Sequence, residues 1–388
     1  MAACIVGWGH SLFGRLGDED LESLIVKVTR MALTHAEIDA GEVDGVWLGH
    51  FNGGLVPDSF PSSLVLQADD SLRWKPSTRV ENACASGSAA IYAALDAIDA
   101  GRCRVALVVG AEKMTAVEGH DVTRILGSAS YVREEASQGI SFPGIFAAIA
   151  ARYFQQYGDH SEALARIAAK NHANGMNNPW AQIRKDIGFE FCNTVSDKNP
   201  IVAAPLRRTD CSLVSDGAAA LILVDESMLG RFPRGVRFRS RVQVNDFLPM
   251  SRRDLVSFAG PRRAWAEALR AARCTVNDLS VAEVHDCFTM AELLAYEAMG
   301  LAPVGAGRAA LDDGTVYPGG RLPVNPSGGL KAKGHPIGAT GVSMHAISAM
   351  QLCGDAGAMQ VPGATLAGVF NMGGSAVANY VSILEAFR

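Results

Sequence analysis

With 388 residues, 48% of them hydrophobic and 19% charged, the chain can bury a core large enough for two to three domains or one double-sized unit. A net charge of −5 and a pI near 6.0 exclude whole-chain attraction to nucleic acid or to an anionic membrane surface. No stretch approaches the ~20 continuous apolar residues of a membrane span. The eight cysteines are scattered without a C-x-x-C pair, so neither a metal site nor a disulfide framework is expected. They read as reduced thiols of a cytoplasmic protein.

Ala2 to Gly9 reads as a first strand closed by a glycine turn, without the basic and apolar regions of a signal peptide. Gly7 and Gly9 form a lone G-x-G that lacks the third glycine and the later acidic residue of a dinucleotide site. Residues 21–37 carry apolar positions at helical spacing (Leu21, Leu24, Ile25, Val28, Met31, Ala32), and Val43 to Leu48 reads as a strand. Ser77 to Val80 is extended and enters Glu81-Asn82-Ala83-Cys84-Ala85-Ser86-Gly87-Ser88. An alanine-rich helix is predicted from Ala85 to Ala100, stopped by Gly101. Cys84 is thereby placed at a strand-to-helix corner, on the first turn of the helix. Unpaired N–H groups and the positive dipole end there favour the nucleophilic thiolate. For that residue alone, a buried structural cysteine is the competing reading.

Several stretches echo one another. The pattern of residues 21–48 returns in 260–299, with Val46-Trp47-Leu48 over Ala282-Glu283-Val284. Ser215 to Val224 resembles Gly373 to Ile383, and Val105–Gly110 resembles Thr365–Phe370. A duplicated α/β half, with an insertion of roughly a hundred residues in the first copy, accounts for these echoes. The expected division is 1–115 plus 205–230 for the first half, 116–204 for an inserted loop domain and 235–388 for the second half. Helices are predicted in the insertion from Ile145 to Tyr157 and from Glu162 to Ala173. A long insertion with its own secondary structure points to a lid or substrate-binding element.

Three further stretches accompany Cys84. Strand Val281–Val284 runs into His285-Asp286-Cys287-Phe288, at the strand end where α/β sheets place reactive groups. Asn325-Pro326-Ser327-Gly328-Gly329 leads to Gly334-His335-Pro336-Ile337-Gly338-Ala339-Thr340-Gly341, which presents an imidazole between glycine and proline. Strand Leu366–Phe370 ends in Asn371-Met372-Gly373-Gly374, whose backbone N–H groups are available to an oxyanion. A cysteine at a helix start, a second thiol and two loop histidines form a coherent nucleophile, base and oxyanion set. Taken singly, His285 and Cys287 are more often structural. The glycine-rich loop lacks the order of a nucleotide P-loop. Lys331 and Lys333 are expected at the surface, and Asp210, Asp216, Glu134 and Glu135 in turns, caps or solvated positions.

Asn82-Ala83-Cys84-Ala85-Ser86-Gly87, Ser215-Asp216-Gly217-Ala218-Ala219 and Gly334-His335-Pro336 through Gly341, in that order and spacing, resemble the thiolase family over nearly the whole chain. His285-Asp286-Cys287-Phe288, Lys170-Asn171-His172 and Asn177-Asn178-Pro179-Trp180 are similar to its sterol-carrier-protein branch. Most thiolases have Asn-Glu-Ala-Phe at the former position and a second catalytic cysteine in a Cys-x-Gly motif. Here that motif reads Asn371-Met372-Gly373, and the resemblance implies that Cys287 takes over.

The resemblance implies a fold of two α/β halves in alternating helix and sheet layers, with the helices after Cys84 and His335 as the central layer. It implies cleavage of a 3-oxoacyl-CoA by CoA, or the reverse condensation, with CoA as co-substrate and no permanently bound cofactor. Cys84 is then the nucleophile, His335 its base and Cys287 the acid and base. His285 and His335 serve the thioester oxygen, and the N–H groups of Cys84 and Gly373 the acyl oxyanion. Phe142, Pro143 and Phe146, at the start of an insertion helix, fit either an acyl-pocket lining or hydrophobic staple contacts. A homodimer or homotetramer is expected. Two alternatives share the fold: an acyltransferase on a non-CoA acceptor with a small OB-fold partner, and a non-catalytic acyl-CoA binder. Neither an appended lipid-binding domain nor a peroxisomal tripeptide is expected after Glu385-Ala386-Phe387-Arg388.

Overall fold

The computed structural model describes residues 3–387; Ala2, expected at the start of the first strand, lies outside the described residues. In chain order, β1 (Ala3–His10) is followed by α1 (Leu21–Ala36), β2 (Gly45–Gly49), β3 (Ser77–Val80), α2 (Ser86–Asp99) and β4 (Val105–Glu112). Next come α3 (Gly119–Gly127), α4 (Phe142–Tyr157), α5 (Ser161–Gly175), α6 (Phe189–Asn193), β5 (Ile201–Ala203) and β6 (Leu206–Arg207). Then β7 (Gly217–Asp225) returns to the main sheet. It is followed by β8 (Val236–Asn245), α7 (Ala259–Ala272), β9 (Val281–Val284) and α8 (Thr289–Ala298). The chain closes with α9 (Ala309–Asp312), α10 (Gly329–Lys333), α11 (Ile337–Cys353), β10 (Leu366–Gly373) and β11 (Ala378–Ala386). No helix among the described residues is long and apolar enough to cross a membrane.

The main sheet runs β3-β2-β4-β7-β1-β8-β11-β10-β9, and its order exposes the duplication. β2 lies parallel to β4, which is antiparallel to β7, which is antiparallel to β1. In the second half β9 lies parallel to β10, which is antiparallel to β11, which is antiparallel to β8. The pairs β2/β9, β4/β10 and β7/β11 are those whose sequences echo one another. The counterpart of β3 has shrunk to a single bridge between Val324 and Ala282. The halves meet where Cys4 and Ile5 pair with Arg237 and Val236.

Strands β1, β4, β7, β9 and β10 are buried at every position, which is why they read as nearly unbroken apolar runs. Val105, Leu107 and Val109 pack in one cluster with Leu24, Ile25 and Val28 of α1. Ala106 and Val108, alternating with them, join the cluster of Ile91, Leu95, Val342 and Met344 from α2 and α11. α7 covers β8 and β11, while α11 contacts β4 and β7 of one half and β9, β10 and β11 of the other. Residues Ile337 to Leu352 of α11 are therefore all buried, as expected of a helix without a solvent face. Two of its polar side chains bond across to other elements: His345 bonds Ser382 Oγ at 2.8 Å, besides Gly341 O at 2.7 Å within the helix, and Ser343 Oγ lies 2.8 Å from His10 Nε2.

The contact between α2 and α11 depends on the absence of two side chains. A Cβ at Gly87 would lie 2.7 Å from Gly338 O and 2.8 Å from Val342 N. One at Gly341 would lie 2.5 Å from Ser88 Oγ and 2.5 Å from Asn371 Oδ1. Real Cβ atoms do not approach backbone that closely, so a methyl here must push the helices apart. Gly87→Ala is expected to lower unfolding stability by about 1–3 kcal/mol. Denaturant unfolding checks this, and an unchanged midpoint would contradict the close-approach account.

Candidate active site

After β3 the chain turns sharply through Asn82, Ala83 and Cys84. Ala83 is held at φ 50°, a left-handed conformation that costs a non-glycine residue about 1 kcal/mol or more. Ala85 N donates to Asn82 O and Ser86 N to Ala83 O, both at 3.1 Å, and Ser86 Oγ accepts from Asn82 N at 2.9 Å. These bonds make Ala85 the cap of α2. Cys84 therefore stands one residue ahead of the cap, and not on the first helical turn as the alanine-rich pattern suggests. The backbone donors that reach its sulfur are the N–H of Gly374 and its own.

Three other segments converge on this corner. His285 and Cys287 follow β9, His335 sits between α10 and α11, and Asn371 lies near the end of β10. Cys84 Sγ and a ring nitrogen of each of His285 and His335 lie within 4.8 Å of one another. The imidazoles meet edge to face, 5.0 Å between centroids. Nδ1 of His335 is 2.7 Å from Thr340 Oγ1, whose own hydroxyl donates to Pro336 O at 2.9 Å. Thr340 is thus an acceptor for His335, so Nδ1 carries the proton and Nε2 presents a lone pair. Nδ1 of His285 is 2.9 Å from Asn371 Nδ2. Both Nε2 atoms are buried without a hydrogen-bond partner.

Cys84, Cys287 and His335 line one cavity of about 310 Å³, walled by Met114, Val122, Leu126, Phe142, Phe288 and Ile337 among others. No charged side chain is among its lining residues. Phe142 opens α4, whose cap Ser141 accepts from Gly144 N at 3.2 Å. Phe146 stacks on Phe288 at 4.4 Å between centroids. The α3–α4 segment and the end of β9 thus form one wall.

Burial dominates the electrostatics. It pushes the Cys84 thiol up to about 12, with the Gly374 N–H pulling the other way. Burial, then the neighbouring Cys84 and Asp286, hold the Cys287 thiol well above its ordinary value. Burial, then Lys333, lower His335 to about 3. Burial, then His335 and Lys333, hold His285 well below its usual range. At rest the site contains neutral thiols and neutral imidazoles, contrary to the thiolate that a helix terminus alone would favour.

Lys331 and Lys333, expected at the surface, are both buried. Lys333 Nζ is 3.9 Å from Glu283 Oε2, and Glu283 accepts from Ser327 Oγ at 2.6 Å. Asp286 accepts from Leu330 N at 2.6 Å, Lys331 N at 3.2 Å and Asn171 Nδ2 at 2.8 Å. Glu292 receives Lys170 Nζ at 2.7 Å, Asn171 Nδ2 at 2.6 Å and Asn325 Nδ2 at 3.0 Å. This paired network ties α5, the loop after β9 and the loop before His335 into one unit. Lone buried charges there would be far more costly than pairs. Asp216 and Glu135 are also buried rather than solvated; Asp216 accepts from Met114 N and Thr115 N at 2.8 Å and pairs with Lys113 at 2.9 Å.

Of the residues singled out in the sequence, Cys84, Cys287, His335 and Phe142 line the cavity, and His285 stands against His335. Gly373 ends β10 opposite Ala378, and the N–H that meets the sulfur belongs to the next residue, Gly374. Ser88 and Asn371 carry little signal in a single sequence, because Asn371 lies 283 positions from Ser88 and 86 from His285, whereas Thr340 stands only five residues after its partner His335. The one hint was Asn371 standing where Cys-x-Gly is usual.

Residues 4–227 match the family described as "Thiolase, N-terminal domain", and residues 243–386 match "Thiolase C-terminal domain-like". The acetyl-CoA acetyltransferase of Methanothermobacter thermautotrophicus is 36% identical over 373 residues, 96% of each chain. Human sterol carrier protein 2 is 33% identical over 95% of this chain and 69% of its own. Among solved structures, the Ltp2-ChsH2(DUF35) aldolase shares the fold at a TM-score of 0.85 and 21% identity, over 100% of this chain and 98% of that one. With both family domains matched in order along one continuous duplicated fold, the chain belongs to the thiolase family and is an acyltransferase of the thiolase type.

Proposed function

We propose that Cys84 carries the acyl group in the cleavage of a 3-oxoacyl-CoA by CoA, or in the reverse condensation. The observation behind this reading is that Cys84, Cys287 and His335 line one cavity without charged side chains, with His285 packed edge to face against His335. In the proposed sequence, Cys84 Sγ attacks the 3-keto carbon as His335 Nε2 takes the thiol proton. The oxyanion formed at that carbon faces the N–H groups of Cys84 and Gly374, with Gly373 immediately beside them. Collapse of the adduct breaks the C2–C3 bond and leaves the acyl group on Cys84. The departing acetyl-CoA enolate takes its proton from Cys287, while its thioester oxygen accepts from His285 and from the protonated His335. The Cys287 thiolate then takes the thiol proton of a second CoA, whose sulfur attacks the Cys84 thioester. Cys84 leaves and recovers its proton from His335.

Preorganised donors in a buried site act strongly, and loss of a single one costs ~100-fold or more. The neutral resting state suits this chemistry. No thiolate–imidazolium pair has to be kept in a low dielectric, and charge appears only once substrate is in place. CoA is a co-substrate here, and no resident cofactor is part of the reading. The segment 116–204 is proposed as the substrate-side domain, inserted within the first half (1–115 plus 205–230) and followed by the second half (235–388). A second copy of the chain, in a dimer or tetramer, is its expected partner. Eight free thiols support a reducing, cytoplasmic setting.

Thiolysis of acetoacetyl-CoA and of a medium-chain 3-oxoacyl-CoA by added CoA tests the reading. Cys84→Ala should abolish acetyl-CoA release, and Cys287→Ala should lower kcat by about 100-fold or more. Near-normal turnover in Cys287→Ala would reject its assigned role. Failure of the well-folded chain to turn over either substrate would favour a partner-dependent reaction, as the likeness to the Ltp2-ChsH2(DUF35) aldolase suggests. The pH dependence of alkylation is a separate check. With its thiol at about 12, Cys84 should react with iodoacetamide slowly at neutral pH and about tenfold faster per pH unit through pH 9. A plateau reached below pH 7 would mean a resting thiolate and contradict the neutral site.

A further inference from the structure

Asn371 is fully buried and touches three parts of the site at once. Its Nδ2 donates to Cys84 O at 3.2 Å and lies 2.9 Å from His285 Nδ1. Its Oδ1 accepts from Ser88 Oγ at 2.8 Å. The carbonyl of Cys84 can only accept, so the amide nitrogen must be the end that faces it. A flipped amide would set two oxygens against each other. Gly341 fits closely over the same group, with space for no Cβ beside Asn371 Oδ1 or Ser88 Oγ. With the NH2 fixed towards His285, Nδ1 of that ring can only accept. A neutral imidazole that accepts at Nδ1 carries its proton at Nε2, the buried atom left without a hydrogen-bond partner.

We propose that Asn371 is a positioning residue that selects the Nε2–H tautomer of His285 and so makes it a hydrogen-bond donor to the substrate's thioester oxygen. The proposal rests on the thiolase reading of the site. It gives the two histidines opposite tasks from opposite tautomers. Thr340 leaves His335 Nε2 with a lone pair to take the Cys84 proton, and Asn371 leaves His285 Nε2 with a proton to donate. It also accounts for Cys84, His285 and His335 as a poor ligand set for a metal ion despite their spacing. One of the three groups offers an N–H where a metal needs a lone pair.

The test uses full-length protein labelled with 15N at its nine histidines, with the His285 signals assigned through His285→Asn. Wild-type protein should show His285 bare at Nδ1 and protonated at Nε2. In Asn371→Asp the carboxylate accepts from Nδ1–H, so the pattern should reverse. In that variant kcat for thiolysis should fall by about 100-fold or more while KM stays within a few-fold. A wild-type His285 protonated at Nδ1 overturns the proposal, whether or not Asn371→Asp folds. The expected tautomers in a protein that turns over no 3-oxoacyl-CoA would keep the role of Asn371 in setting the tautomer and refute the catalytic reading instead.

Discussion

Everything at the site depends on how closely α2 and α11 approach. Gly87 lies against Gly338 and Val342, and Gly341 lies against Ser88 and Asn371, with no space for a methyl group on either side. Because those helices begin just after Cys84 and His335, their contact brings the two corners together. It also leaves Cys84 and His335 largely buried. α11, buried along nearly its full length, is the central element around which both halves of the duplicated sheet pack. A single helix–helix contact thus sets both the geometry and the dielectric of the reactive groups.

The low dielectric then decides which charges the site can hold. A helix terminus and its dipole favour a thiolate by at most a kcal/mol or two. Full burial without an ion partner opposes it by more, and the balance leaves Cys84 protonated. Nearby, charge is kept only in pairs or networks. Lys170 meets Glu292 at 2.7 Å, and Asp286 is held by two backbone N–H groups and Asn171. These networks join the loops bearing His285, Cys287 and His335, so the side chains are placed by neighbours that never touch substrate. Lys333 adds a buried positive charge beneath both histidines, which helps to keep them neutral at rest.

The sequence carried the larger features because they repeat or have a period. The echo of Val105–Gly110 in Thr365–Phe370 corresponds to β4 and β10, and that of Val46–Leu48 in Ala282–Val284 to β2 and β9. Cys84, His285, Cys287 and His335 were visible because glycines, prolines and strand ends mark their corners. Lys331 and Lys333 misled for a plain reason: lysine is seldom buried, and their surroundings are built by residues dozens of positions away. The role of Asn371 was hidden for the same reason. Its partners Ser88 and His285 lie 283 and 86 positions off in the chain. The position of Cys84 relative to the helix differed by one residue because Ala83 adopts a left-handed conformation, which no propensity favours.

The most direct test of the account is to find where the acyl group resides. Protein mixed with a 3-oxoacyl-CoA and no free CoA should stall after the first half-reaction. Peptide mass spectrometry should then place the acyl mass on Cys84, with acetyl-CoA released in equal amount. Acylation of Cys287 instead, or release of acetyl-CoA with no acylated cysteine, would contradict the assignment of the nucleophile and the order of steps built on it.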